Sequence, residues 1–359
     1  MSGLHPALTT PACALFGVRY PIVQTGMGWV SGPELTAATA NAGGLGILAT
    51  ATLTAGETAS AIARTKELTG APFGVNLRGD APDAAERIRL LIGGGVRVAS
   101  FAMAPPRRLI EELHDAGLVV VCSVGARRHA EKVAALGADA VIAQGGEGGG
   151  HTGPVATSIL LPQVVDAVDV PVLAAGGFHD GRGLVAALAY GCTGVAMGTR
   201  FLLTSDSTVP EQVKQEYLRR TVADIVVTDA LDGVPQRVLR TEQVRRLAEA
   251  GRLTWLLRSL ANAVAFRRMS GTRWRDLVRE GLAMRRSREL TWRQVLMAAN
   301  TPMMLRAGMV EGRVDAGTLA SGQVAGVLGD LPSCAELIDR VVRQADEVLR
   351  ALAPAEVSA

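Results

Sequence analysis

A chain of 359 residues with 48% hydrophobic and 20% charged side chains is too rich in core-forming residues to be disordered, and long enough for one large α/β barrel or two average domains. Its formal charge of +3, from 37 basic and 34 acidic residues, gives no general affinity for nucleic acid, and no apolar stretch is long and unbroken enough to be expected in a membrane. Cys13, Cys122, Cys192 and Cys334 stand far apart with no CxxC pair and no secretory signal, which predicts reduced thiols and a cytoplasmic location.

Short β-rich runs recur at 21–24, 44–48, 73–77, 96–101, 118–123, 140–143, 171–175 and 194–198. Continuous apolar runs of this kind suit parallel strands buried on both faces. Amphipathic segments over 83–92, 106–116, 127–136 and 183–190 lie between them, with apolar residues at helical spacing. Eight alternating units over residues 1–204 predict an α/β fold, a (β/α)8 TIM barrel, with a doubly wound open sheet as the alternative because element order alone does not prove closure. Residues 205–300 break the pattern and predict a helical insertion or lid near the C-terminal strand ends. It is basic, with Arg267, Arg268, Arg273, Arg275, Arg279, Arg285, Arg286 and Arg288. The C-terminal segment 301–359 carries a helix over 334–352, whose apolar face from Leu337 and Ile338 to Leu349 and Leu352 is expected to pack back on the barrel.

In such a barrel the site lies just beyond the C-terminal strand ends, so the residues there are the ones to weigh. They include Gly26 and Met27 after the first strand, Asn76 on the third, Ser123 on the fifth, Gly176 and Gly177 after the seventh, and Gly198 and Thr199 after the eighth. After the sixth comes the segment 144–153, in which six glycines surround His151. Glycines let a backbone approach a flat or anionic ligand, and a histidine at the ligand's edge can exchange protons near neutrality. A glycine-rich loop alone is more often a surface turn; here five other loops converge with it. The paired loops at Gly176-Gly177 and Gly198-Thr199 have the layout of a phosphate cradle. A phosphate there, with the ligand reaching across to Gly26, Asn76, Gln144 and His151, fits a phosphorylated planar cofactor such as FMN. The amides of Asn76 and Gln144 can each donate to and accept from a uracil-like edge. Neither a GK[ST] phosphate loop nor a Rossmann glycine fingerprint is evident, so a pyridine nucleotide would visit the flavin as a co-substrate. A metal is the weaker alternative, because His151, His179, Cys122 and Glu147 share no paired spacing on one element. His5, His114 and His129 are expected at the surface.

The strings QTGMG at 24–28, FGVN at 73–76, GGGHTG at 148–153, AAGG at 174–177 and MGTRF at 197–201 carry a resemblance to the FMN-dependent nitronate monooxygenase superfamily, which also contains enoyl-ACP reductase II. It extends from about residue 15 to the segment 322–326. Residues 23–30, 144–157, 289–292 and 300–302 resemble more closely the IpdC-like branch, flavin-dependent dehydrogenases of steroid C/D-ring breakdown. The resemblance implies FMN as cofactor, His151 as the active-site histidine, and flavin contacts at Gly26, Met27, Asn76, Ser123, Gln144, Gly149, Gly150, Gly176, Gly177, Gly198 and Thr199. It also implies α,β-dehydrogenation of a hydroxy-methyl-oxo-octahydroindene carboxyl-CoA thioester with NAD as acceptor, and the arginines from Arg267 to Arg288 are the candidates for the CoA phosphates. Ser123 and Gln144 depart from members that place a lysine and an acid there, which argues against automatic assignment of nitronate oxidation. Nitronate monooxygenation with oxygen, enoyl-thioester reduction and non-catalytic binding of a phosphorylated metabolite stay open, as does homo-oligomerisation.

Overall fold

The computed structural model describes residues 3–249, 261, 264, 267, 275, 297 and 300–352. In chain order its strands are β1 (Ile22–Gln24), β2 (Leu45–Ala49), β3 (Gly74–Leu77), β4 (Val98–Phe101), β5 (Val119–Val124), β6 (Ala140–Gln144), β7 (Gly150–His151), β8 (Val172–Ala175), β9 (Gly194–Met197), β10 (Ile225–Thr228) and β11 (Gln236–Leu239). The helices are α1 (Pro11–Phe16), α2 (Pro33–Asn41), α3 (Ala55–Leu68), α4 (Ala84–Gly93), α5 (Arg107–Asp115), α6 (Arg127–Leu136), α7 (Thr157–Val165), α8 (Gly181–Ala189), α9 (Thr199–Leu202), α10 (Glu211–Leu218), α11 (Glu242–Glu249), α12 (Asn300–Met309) and α13 (Cys334–Leu352).

Eight parallel strands close in the order β1-β2-β3-β4-β5-β6-β8-β9, and β9 returns to β1 with Val23 opposite Ala196. Closure removes the doubly wound alternative. The apolar runs are continuous because both faces of the wall are buried. Val23, Ile47, Val98, Val121, Ile142, Leu173 and Ala196 join one cluster, while their neighbours Ile22, Leu48, Ala99, Val120, Val141, Val172 and Val195 join the other. Ala12 and Phe16 of α1 belong to the first cluster, so the N-terminal helix packs with the barrel interior. All four cysteines are free and buried, and burial pushes the thiols of Cys122, Cys192 and Cys334 up to about 12. Among the described residues no helix is long and apolar enough to cross a membrane.

The segment after the barrel is not helical throughout. Ile225–Thr228 and Gln236–Leu239 are short β-rich runs flanking the turn signal Asp232-Gly233, and they form an antiparallel hairpin, β10–β11. β11 in turn pairs with β7, which follows β6 directly, and this sets the hairpin at the C-terminal end of the barrel.

The C-terminal helix α13 packs on α2 and α8 through Leu337, Ile338, Val341, Val342 and Ala345; its last apolar residue, Leu352, is instead 72% exposed. Contact with α8 is close because Gly181 has no side chain. A Cβ there would lie 2.4 Å from Ala345 N and 2.5 Å from Val341 O, and Gly181 N donates to Gln344 Oε1 at 2.8 Å. Gly181→Ala is therefore expected to lower stability by about 3 kcal/mol, the upper range for overpacking, as read from the denaturation midpoint. A midpoint equal to wild type would contradict the close packing of these helices.

Candidate active site

A cavity of about 460 Å³ opens at the C-terminal strand ends, within the size range of small-molecule sites. Each predicted position lines it: Gly26, Met27, Asn76, Ser123, Gln144, Gly149, Gly150, His151, Gly176, Gly177, Gly198 and Thr199. Leu305 and Met309 of α12, with Ala320, Gly322 and Val324, complete the wall. Cys122 and His179 do not join them. Cys122 is buried on the outer side of the strand, and His179 lines a separate small cavity with Asp180 and Arg200. Of the arginines expected near CoA, Arg267 is half-buried and Arg275 exposed, and neither is among the described lining residues. Arg268, Arg273, Arg279, Arg285, Arg286 and Arg288 lie outside the described residues.

The first loop is shaped by Ser31, whose hydroxyl accepts from Met27 N and donates to Thr25 O, both at 2.9 Å. Gly26 is required there because a Cβ would lie 2.6 Å from Asn76 Cβ. Across the mouth, Gly176 and Gly177 have φ of 89° and 90°, a left-handed backbone that glycine adopts without strain. At Gly177 a Cβ would meet only Glu147, at 3.7 Å, so this backbone is open toward the cavity.

The segment between β6 and β7 is held at several points. Gly145 N donates to Ala175 O at 2.9 Å, and Arg237 clasps Gly146 O through Nε at 3.1 Å and its terminal nitrogen at 2.7 Å. Glu147 faces the N-terminus of α7, where it accepts from Thr157 N at 2.9 Å and from the Thr157 hydroxyl. Gln323 N donates to Glu147 O at 3.0 Å, and Gly322 N donates to Thr199 Oγ1 at 2.9 Å. The two predicted amides are partly committed within the protein. Asn76 Nδ2 donates to Ser100 O at 3.3 Å, which leaves its carbonyl oxygen for a ligand, and Gln144 Nε2 donates to His151 O at 2.9 Å. Gln144 retains its carbonyl oxygen and one N–H for a ligand. A planar ring bearing a phosphate fits this set: open glycine backbone at one end, amide acceptors and donors across the mouth.

His151 is 55% exposed along its side chain, and its Nε2 lies 2.9 Å from Oδ2 of Asp232, which is 9% exposed. Three further donors reach this carboxylate: Gln236 Nε2 at 2.6 Å, Thr301 Oγ1 at 3.0 Å and Val234 N at 3.1 Å. Burial pushes the Asp232 carboxyl up, but hydrogen bonds from His151, Gln236 and Val234 outweigh it and hold the group below the ordinary carboxylate value. Backbone pairing reinforces the arrangement, because His151 in β7 is opposite Gln236 in β11. Asp232, Gln236 and Arg237 were not indicated by the sequence, and Thr301 only as part of the string 300–302, with no role attached. The Asp232-Gly233 turn announces a hairpin, but nothing local announces that it docks 81 residues back in the chain.

The nitronate monooxygenase family model matches residues 9–89 and 85–344. The chain is 60% identical, over 98% of its length and 99% of the relative's, to the (3aS,4S,5R,7aS)-5-hydroxy-7a-methyl-1-oxo-octahydro-1H-indene-4-carboxyl-CoA dehydrogenase of Rhodococcus jostii. It is 62% identical to the protein of the same name from Mycobacterium tuberculosis, over 94% of this chain and 96% of that one. A solved structure of FabK from Thermotoga maritima superposes with a TM-score of 0.77 at 32% identity, covering 96% of this chain and 98% of that one. With its closed barrel and full-length likeness to these proteins, the chain belongs to the nitronate monooxygenase family of FMN-dependent oxidoreductases.

Proposed function

We propose that this protein dehydrogenates the α,β-bond of a steroid-derived hydroxy-methyl-oxo-octahydroindene carboxyl-CoA thioester, with NAD as the final acceptor. The observation that carries the choice of substrate is the identity of 60% and 62%, over nearly the whole chain, to two dehydrogenases named for that thioester. The backbone of Gly176, Gly177 and Gly198, with Thr199, would hold the FMN phosphate; Gly26, Met27, Asn76, Ser123, Gln144, Gly149 and Gly150 would line the ring. Bound FMN supplies a hydride acceptor that NAD can reoxidise. The protein's own part is proton handling. A thioester carbonyl acidifies the adjacent C–H, and His151, exposed at the edge of the cavity, takes that proton as the double bond forms and returns it to solvent.

Anaerobic addition of the thioester to the FMN-loaded protein is expected to bleach the flavin absorbance, and NAD to restore it. Oxygen consumption with propionate 3-nitronate is expected to be negligible by comparison. Bleaching absent with the thioester, together with rapid oxygen uptake on the nitronate, would replace this reading with nitronate oxidation.

A further inference from the structure

We infer that Asp232 is a positioning residue for the base: it keeps the imidazole proton of His151 on Nε2 and so presents Nδ1 as the basic nitrogen to the cavity. This rests on His151 being the base proposed above.

The geometry leads there by elimination. Oδ2 of Asp232 stands 2.9 Å from Nε2 and also receives Gln236 Nε2 and Thr301 Oγ1, while Oδ1 receives Val234 N. An ionised carboxylate can only accept, so the proton between Oδ2 and Nε2 belongs to the imidazole. Placing it on the carboxylate instead would turn one oxygen into a donor among groups that are themselves donating. A neutral imidazole protonated on Nε2 has its lone pair on Nδ1. The burial is equally one-sided: the side chain of Asp232 is 9% exposed and that of His151 55%. One edge of the ring is held in the protein and the remainder is left for a substrate, the division of labour by which a buried carboxylate orients a histidine base.

Gln236 ties this to the backbone. Its main chain pairs with His151 across β11 and β7, and its side chain donates both to Asp232 and to Thr301 Oγ1, the latter at 2.8 Å. Thr301 comes from the first turn of α12, and its neighbour Asn300 donates to Leu231 O at 3.1 Å. The carboxylate is therefore tied both to the strand partner of His151 and to the first turn of α12.

The test uses FMN-loaded protein labelled with ¹⁵N-histidine. The wild type is expected to show a slowly exchanging, downfield imidazole proton coupled to Nε2 and absent in His151→Ala. In Asp232→Ala this signal is lost, and the limiting rate of flavin reduction by the thioester falls by about 100-fold. The thioester concentration giving half that rate stays within about threefold and FMN stays bound, a separation that a merely structural role would not produce. A wild-type proton on Nδ1, or no protected imidazole proton, overturns the inference without needing any variant to fold. So does Asp232→Ala reducing flavin at the wild-type limiting rate. Failure of the thioester to reduce wild-type flavin would instead strike the substrate reading, with the imidazole spectrum still deciding the role of Asp232.

Discussion

His151→Ala is expected to retain FMN and to lose between about 10²- and 10⁴-fold in the rate at which the thioester reduces it. The side chain is half exposed, and its one described side-chain partner is Asp232, so the ring contributes little to the barrel. The turn that carries it is fixed without the ring: Arg237 clasps Gly146 O, Gln144 holds His151 O, and β7 stays paired with β11. Loss of the imidazole therefore removes a proton acceptor and leaves the cavity wall standing. Stopped-flow reduction under anaerobic conditions gives the limiting rate, and the flavin spectrum before mixing gives the cofactor content. An unchanged limiting rate with full cofactor content would remove His151 from proton transfer.

The second large effect is expected at Gly149. A Cβ on it would lie 2.6 Å from Gly322 N and 2.7 Å from the carbonyl carbon of Ser321. Backbone cannot swing aside as a side chain can, and this backbone is committed elsewhere. Gly322 N donates to Thr199 Oγ1, Ser321 N donates to Arg237 O at 3.2 Å, and Gln323 N donates to Glu147 O. Forcing the two segments apart shifts Thr199 and the glycine segment, which adjoin the same backbone and both belong to the proposed FMN contacts. Gly149→Ala is expected to weaken FMN binding by about 100-fold, close to 3 kcal/mol. Gly150→Ala is the informative neighbour. Gly150 has φ of 68°, but a Cβ there would meet nothing within 4 Å, so its cost is backbone strain alone, about 1–2 kcal/mol. Fluorescence titration of apoprotein with FMN compares the two, and equal affinity of Gly149→Ala and wild type would refute the steric argument.

The barrel was legible because its wall is buried on both sides, so that each strand left an unbroken apolar run in the sequence. Closure was not, since it depends on β9 meeting β1 from the far end of the fold, a pairing that no local pattern encodes. The candidate site was legible for a related reason: glycines that admit close backbone approach are conspicuous, and all twelve predicted positions line one cavity. What escaped was the support behind His151. Asp232 is an unexceptional turn residue until the hairpin docks, Thr301 lies at the start of a distant helix, and β7 is too short, at two residues, to leave a period. The amides of Asn76 and Gln144 were identifiable as hydrogen-bonding groups, but their commitments to Ser100 and to His151 O are set only by the folded geometry.

The small sheet β10-β11-β7 lies outside the barrel wall, yet it carries both the histidine and its carboxylate. Most of the proposed flavin contacts sit on the barrel wall, whereas the proposed proton-handling pair sits on this hairpin sheet, which shares Gly150 of β7 with the flavin site and packs on the barrel through Ile225 and Leu239. On the role proposed for His151, changes in the hairpin would retune or abolish acid–base chemistry while every strand of the wall is preserved, which gives such a barrel a route to new reactions that does not pass through its core.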